Sequence, residues 1–174
     1  MSEQTINRPE QTEYNPYYEK YVSLVPTGDI VETLSRQIEE TLALLRSIDE
    51  ARAVYRYEPD KWSIKQVVGH VCDTERIFAY RALRFARGDQ TPLPGYDQDE
   101  YALSANFDAR TLADLAAEFE HVRAATIVLF RSFDADAMQR RGKANDNEVS
   151  VRALAHIIAG HELHHVQVLR TRYL

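Results

Sequence analysis

Residues 161–165 read His-Glu-Leu-His-His, and the window from His156 to His165 holds four of the chain's six histidines. If the segment is helical, residues four apart lie about 40° apart around the axis, so His161 and His165 point to one side, one turn apart. That is how a single helix offers two imidazoles to one metal ion. The stripe they join runs through Val151, Leu154, Ile158 and Val168, which marks both histidines as interior. A buried polar group without a partner costs about 1–3 kcal/mol, so both rings need one. A metal would satisfy both, and so would hydrogen bonds to other core side chains; this helix alone does not choose between them.

The same five residues match H-E-x-x-H, the zinc-protease pattern, with Glu162 as the base. Sites of that kind take a third ligand downstream, but the nine residues after His165 contain no His, Asp or Glu. A third ligand must come from upstream. His70 is the best candidate, at the edge of the buried face of a helix marked by Val67, Val71, Phe78 and Phe85. His121 sits on a solvent face, two residues from buried Phe119. His156 lies about 140° round the helix from His161 and points away. Cys72, about 200° round from His70, reads as a small inert hydrophobe.

Four amphipathic helices have to position these groups. The first is capped by Asp29, with Glu32 as a capping-box partner, and runs to near Asp49 on Ile30, Leu34, Ile38, Leu42 and Leu45. The second starts at Ser63 with Gln66 and stops at Gly88. The third starts near Asp108 or Thr111 and carries Leu112, Leu115, Phe119, Val122 and Leu129. The fourth is capped by Ser150, with Val149 and Leu154 at hydrophobic-staple spacing, and ends near Arg170. Strand signals are nearly absent. The expected fold is all-α, a four-helix bundle, which builds metal sites from side chains projecting inward. Residues 14–174 form one domain, with Tyr14–Pro26 as a short helix or collar and residues 1–13 as a loose polar tail. A long loop, 89–107, joins the second and third helices and has the length of a functional loop. Gly69 and Gly160 each precede a candidate ligand inside a helix. Their cost of about 1 kcal/mol relative to alanine suggests that the second and fourth helices approach closely there.

Charge and cysteine content narrow the function classes. With 21 Lys and Arg against 27 Asp and Glu, the net charge of −6 argues against nucleic acid or an anionic membrane as a main partner. The single cysteine excludes an internal disulfide and fits a reducing cytoplasm. The longest apolar run, 124–130, is too short to span a bilayer and is flanked by Arg123 and Arg131. Residues 1–13 are too polar for a secretory signal.

The stretch Lys61-Trp62-Ser63-Ile64-Lys65-Gln66-Val67-Val68-Gly69-His70, with Glu75-Arg76 and Arg84, resembles the second helix of the DinB/YfiT-like superfamily of metalloenzymes. Gly160-His161-Glu162-Leu163-His164-His165-Val166-Gln167 resembles its fourth, so the likeness covers about Trp62 to Tyr173. It implies a DinB/YfiT-like four-helix bundle with one divalent metal ion (zinc, nickel, iron or manganese) on His70, His161 and His165. His164 could compete as a ligand; the apolar stripe favours His165. The resemblance further implies a homodimer, a small-molecule substrate, and thiol S-transferase or hydrolase chemistry with a low-molecular-weight thiol. Gln66, Asp73 or Thr74 could orient His70, and Glu162 could be a catalytic base at the rim. The alternative is a non-enzymatic dimeric stress or interaction protein with a structural or vestigial metal site. Such a site would be closed by a fourth ligand such as His164 or Glu118, whereas an enzyme needs an open position and a pocket leading to it.

Overall fold

A computed structural model describes residues 7–174. The tyrosine-rich collar is a 3-10 turn, Pro16–Tyr18, running into a one-turn helix, α1 (Glu19–Val22). Asn15 starts it by accepting from the Tyr17 N–H. The part of the expected loose tail that lies within the described residues is tied down. Arg8 donates to the carbonyls of Val22 and Val25, and buried Glu13 pairs with Arg152 and accepts from Ser150 Oγ at 2.7 Å. The first six residues of that tail lie outside the described residues.

The helices that follow are α2 (Ile30–Arg46), α3 (Ile64–Ala86), the short α4 (Gln98–Ser104), α5 (Leu112–Arg131), the short α6 (Ala135–Gln139) and α7 (Val151–Val168). The four long ones start at the polar residues that the sequence marks, Asp29, Ser63, Thr111 and Ser150, each accepting from backbone N–H groups that the first turn leaves unpaired. On α3 the capping box closes in both directions, Gln66 N–H to Ser63 Oγ at 3.1 Å and Ser63 N–H to Gln66 Oε1 at 3.0 Å. Gly88, at φ +78°, supplies the left-handed residue that stops α3.

Both α2 and α3 pack against α5 and α7. The consecutive helices α2 and α3 therefore lie across a diagonal of the bundle, and residues 47–63 cross its end. Two apolar clusters fill the interior, one around Phe85, Phe130 and Leu154, the other around Ile64, Leu115 and Phe119. Arg123 touches both. Its guanidinium stacks 5.2 Å from the centre of the Phe119 ring, and its Nη1 donates to the Leu34 carbonyl at 3.4 Å.

Two features depart from the sequence reading. The polar connection before α7 contains a hairpin, β1 (Arg141–Ala144) antiparallel to β2 (Asn147–Ser150), joined by Asn145 and Asp146 at φ +49° and +62°. That is the left-handed pair a two-residue hairpin turn requires. Leu93 bonds into it, its N–H to the Lys143 carbonyl at 2.9 Å and its carbonyl to the Asn145 N–H at 3.0 Å, so the 89–97 segment is fastened above α3. The glycines also serve other neighbours than expected. A methyl at Gly69 would overlap the Phe107 ring, and one at Gly160 would overlap the backbone carbonyl of Tyr21. They make room for the 106–110 turn and for α1, not for a close approach of α3 to α7. No helix among the described residues is long and apolar enough to cross a membrane.

Candidate metal centre

His70 comes from α3, and His161 and His165 come from successive turns of α7. Their ligand atoms all lie within 4.8 Å of one another. His161 Nε2 is 3.0 Å from His70 Nε2 and 3.1 Å from His165 Nε2. Metal–nitrogen bonds of about 2.0–2.1 Å put two ligand nitrogens about 2.9 Å apart at a right angle and about 3.4 Å apart at a tetrahedral angle. Both separations fall inside that range and the third pair of ligand atoms lies within 4.8 Å, so the three residues could hold a single divalent ion. Burial holds His70 down to about 4, and burial together with the neighbouring imidazoles holds His161 and His165 well below the ordinary value. At neutral pH all three rings are uncharged and carry lone pairs, the state a metal ligand needs.

The rings are held from several sides. Trp62 lies 4.7 Å from the His70 ring centre, and Tyr21 lies 5.3 Å from that of His161. Thr74, one turn along α3, puts its Oγ1 3.4 Å from His70 Nδ1 and 2.8 Å from the Tyr96 hydroxyl. Of the three neighbours that the sequence offered for His70, only Thr74 reaches it. Gln66 is used by the Ser63 cap and Arg56, and Asp73 lies beside Arg76 at 3.6 Å. Tyr96 was not read from the sequence; only the length of its Pro-Gly loop hinted at a function.

His164 is outside the trio. Its ring packs against Tyr21, 5.3 Å between centres, and it is His165 that stands with His70 and His161. Glu118 is paired with Arg76 and Arg110 and does not join either. His156 is buried with Nδ1 2.9 Å from the Arg152 carbonyl, His121 is exposed, and Cys72 is fully buried with its thiol pushed up by burial.

Glu162 is not at the rim. It is 1% exposed, accepts from Thr41 Oγ1 at 2.5 Å, and lies 2.6 Å from Arg123 Nη1. The same guanidinium donates to both oxygens of Glu75, each at 2.8 Å. A helical residue next to His161 is turned about 100° from it, and here that turn points the carboxylate into the bundle centre. The structure therefore places Glu162 in the bundle interior beside Arg123 and Thr41, not at the rim where the sequence reading put a base.

Two clefts approach the trio. One, of about 340 Å³, includes Tyr21, Thr74, Tyr96 and His161 in its walls. The other, of about 700 Å³, includes Trp62, His164, His165 and Tyr173. The imidazoles stand between them, with His161 on one side and His165 on the other.

The arrangement has relatives. A protein of Oceanobacillus iheyensis assigned by name as a metal-dependent hydrolase is 25% identical over 140 residues, spanning 78% of this chain and 77% of its own. YfiT from Bacillus subtilis, inferred to be a metal-dependent hydrolase with an unusual four-helix bundle topology, superposes with a TM-score of 0.69 at 14% identity, over 93% of this chain and 91% of its own. The mycothiol-dependent maleylpyruvate isomerase superposes with a TM-score of 0.66 at 16% identity, over 79% of this chain and 58% of its own. At such identities the two structures establish a shared fold. The model of the DinB superfamily matches residues 33–169, from the first turn of α2 to just past the end of α7. With that match covering most of the chain and all of the four bundle helices but the first turn of α2, the chain belongs to the DinB superfamily.

Proposed function

We propose that the chain is a metal-dependent enzyme acting on small molecules, with one divalent ion held by His70, His161 and His165. One observation carries this reading. A neutral imidazole nitrogen has either a hydrogen or a lone pair, never both. His161 Nε2 has two imidazole nitrogens beside it, at 3.0 and 3.1 Å, and as a hydrogen-bond partner it can serve only one of them well. Three lone pairs aimed at one cation satisfy the whole group. The metal-dependent names of two relatives support the same reading. Imidazole ligands suit zinc, nickel or iron, and manganese is the harder alternative.

A divalent ion in this place would supply Lewis acidity, turning a water or a thiol into a nucleophile near neutral pH. The protein would do the rest. With Thr74 accepting from His70 Nδ1, Nε2 would keep its lone pair for the metal, and Tyr96 lies against the threonine hydroxyl in turn. Trp62 and Tyr21 fix the ring planes. A structural site would be closed by a fourth protein ligand; among the described residues neither His164 nor Glu118 closes this one. Two clefts favour two reactants, hence group transfer from a low-molecular-weight thiol over hydrolysis, and thiol dependence is in the name of one structure with this fold. A cytoplasmic setting and a homodimer complete the proposal.

Metal content decides it. Tag-free protein, incubated with zinc, nickel, iron or manganese and desalted, should hold about one equivalent by ICP-MS. His70→Ala, His161→Ala and His165→Ala should hold little, and His164→Ala should match the wild type. A metal-free wild type, or full occupancy in the three variants, would remove the enzyme reading. Substrate depletion with a panel of thiols then separates transfer from hydrolysis.

A further inference from the structure

The cleft on the His161 side holds a charge that the metal centre does not use. Arg81, on α3 three turns beyond His70, is 5% exposed and lies in the wall of this cleft. Its Nη2 donates to the Pro94 carbonyl at 2.8 Å, and its guanidinium lies 5.4 Å from the centre of the Phe78 ring. Among the described residues no carboxylate pairs with it, whereas the other deeply buried arginine, Arg123, has two. The walls of the cleft contain no Asp or Glu at all. They consist of tyrosines, asparagines, Gln98, Arg81 and His161, with a few small or apolar neighbours. Lys20 adds a second positive charge close to two of the lining tyrosines, 3.9 Å from the centre of the Tyr17 ring and 4.9 Å from that of Tyr21. This local field runs against a chain whose net charge is −6.

A buried cation without a counter-ion is costly, and the cost is relieved when an anion arrives. The guanidinium has five N–H donors in a planar fork, matched to the two oxygens of one carboxylate. The rings of Tyr18, Tyr21 and Tyr96 offer faces and edges to an apolar or unsaturated body. A volume of about 340 Å³ is at the small end for ligand pockets and suits a compact molecule. We propose that this cleft binds a small organic acid, its carboxylate on Arg81 and its body along the tyrosines toward His161. The inference deepens the enzyme reading and rests on it for the chemistry at the far end of the molecule; Arg81 is the residue that selects the substrate.

Calorimetric binding of benzoate and of its neutral counterpart benzamide tests this. Both are titrated into metal-loaded wild type, metal-stripped wild type, Arg81→Gln and Arg81→Lys. Stripping removes the metal as a competing carboxylate site. In stripped wild type, benzoate should bind about tenfold or more tightly than benzamide, the size expected of one charge-assisted hydrogen bond. In R81Q the two should become equal while metal content stays that of the wild type, and R81K should keep part of the preference. Equal binding of the two probes by stripped wild type overturns the proposal even if R81Q fails to fold. An unchanged preference in folded R81Q overturns it as well. If wild type takes up no metal, the enzyme reading falls, yet the benzoate preference still decides the anion site by itself.

Discussion

His156 shows what burial alone does to an imidazole on α7. It is 2% exposed, its Nδ1–H donates to the Arg152 carbonyl at 2.9 Å, and burial holds its pKa down to about 4. The unfolded chain takes up this proton near the ordinary value of 6.5, and the folded chain does so only near 4. Between those values the unfolded state binds more protons, so the contribution of His156 is complete above about pH 6.5 and is lost as pH falls toward 4. His156→Asn keeps a donor near the Nδ1 position and removes the titration. Its urea-unfolding stability should therefore change less between pH 7 and pH 5 than that of the wild type; an equal change would mean that folded His156 is already charged. At this scale the sequence was most informative where helical geometry decides. The period of 3.6 put His161 and His165 on one face and turned His156 away. It failed where a side chain's surroundings come from elsewhere in the chain. Glu162 has the position of a protease base in the local pattern, and only the arrival of Arg123 from α5 and Thr41 from α2 shows it to be a core ion pair. Arg81 and Tyr96 acquire meaning only once the 89–97 segment is fastened to the hairpin.

At the scale of elements, α7 is the most constrained helix. Its apolar stripe faces the bundle, His161 and His165 face His70 of α3, and at Gly160 it lies so close to α1 that a methyl group would overlap the Tyr21 carbonyl. Backbone cannot yield as a side-chain tip can. Gly160→Ala should therefore cost about 1–3 kcal/mol by overpacking, against the gain of about 1 kcal/mol that the same change brings in an unobstructed helix. Urea titration measures this, and a stabilised variant would show that α1 is not seated on α7. The four long helices and their caps were legible because Asp29, Ser63, Thr111 and Ser150 each stand directly before an apolar period. The hairpin was not. Its first strand, Arg-Gly-Lys-Ala, has no β-branched or aromatic residue, and the pair Asn145-Asp146 was its one local signal. The space beside Gly69 and Gly160 was anticipated, but its occupants, Phe107 and Tyr21, are far away in sequence.

For the whole molecule, Arg123 is where the bundle meets. It comes from α5, grips Glu75 of α3 with two hydrogen bonds, lies against Glu162 of α7, and donates to the Leu34 carbonyl of α2. Every member of this group is buried, and both carboxylates face the one guanidinium, while burial raises the pKa of Glu162. Arg123→Met would leave two buried carboxylates facing each other and should destabilise the protein by about 3–5 kcal/mol in chemical denaturation. A loss below about 1 kcal/mol would mean that the carboxylates find other partners or are protonated. Such a junction is invisible to periodicity, because it depends on the diagonal placement of α2 and α3.

The two clefts on either side of the imidazoles carry a consequence for timing. If a thiol enters beside His165 and an organic acid beside His161, neither has to leave before the other arrives, and neither occupies the other's space. Such an enzyme would work through a ternary complex with no obligatory order of arrival. Saturating one reactant would then not inhibit the other by occlusion, and turnover would continue when one of them is in large excess.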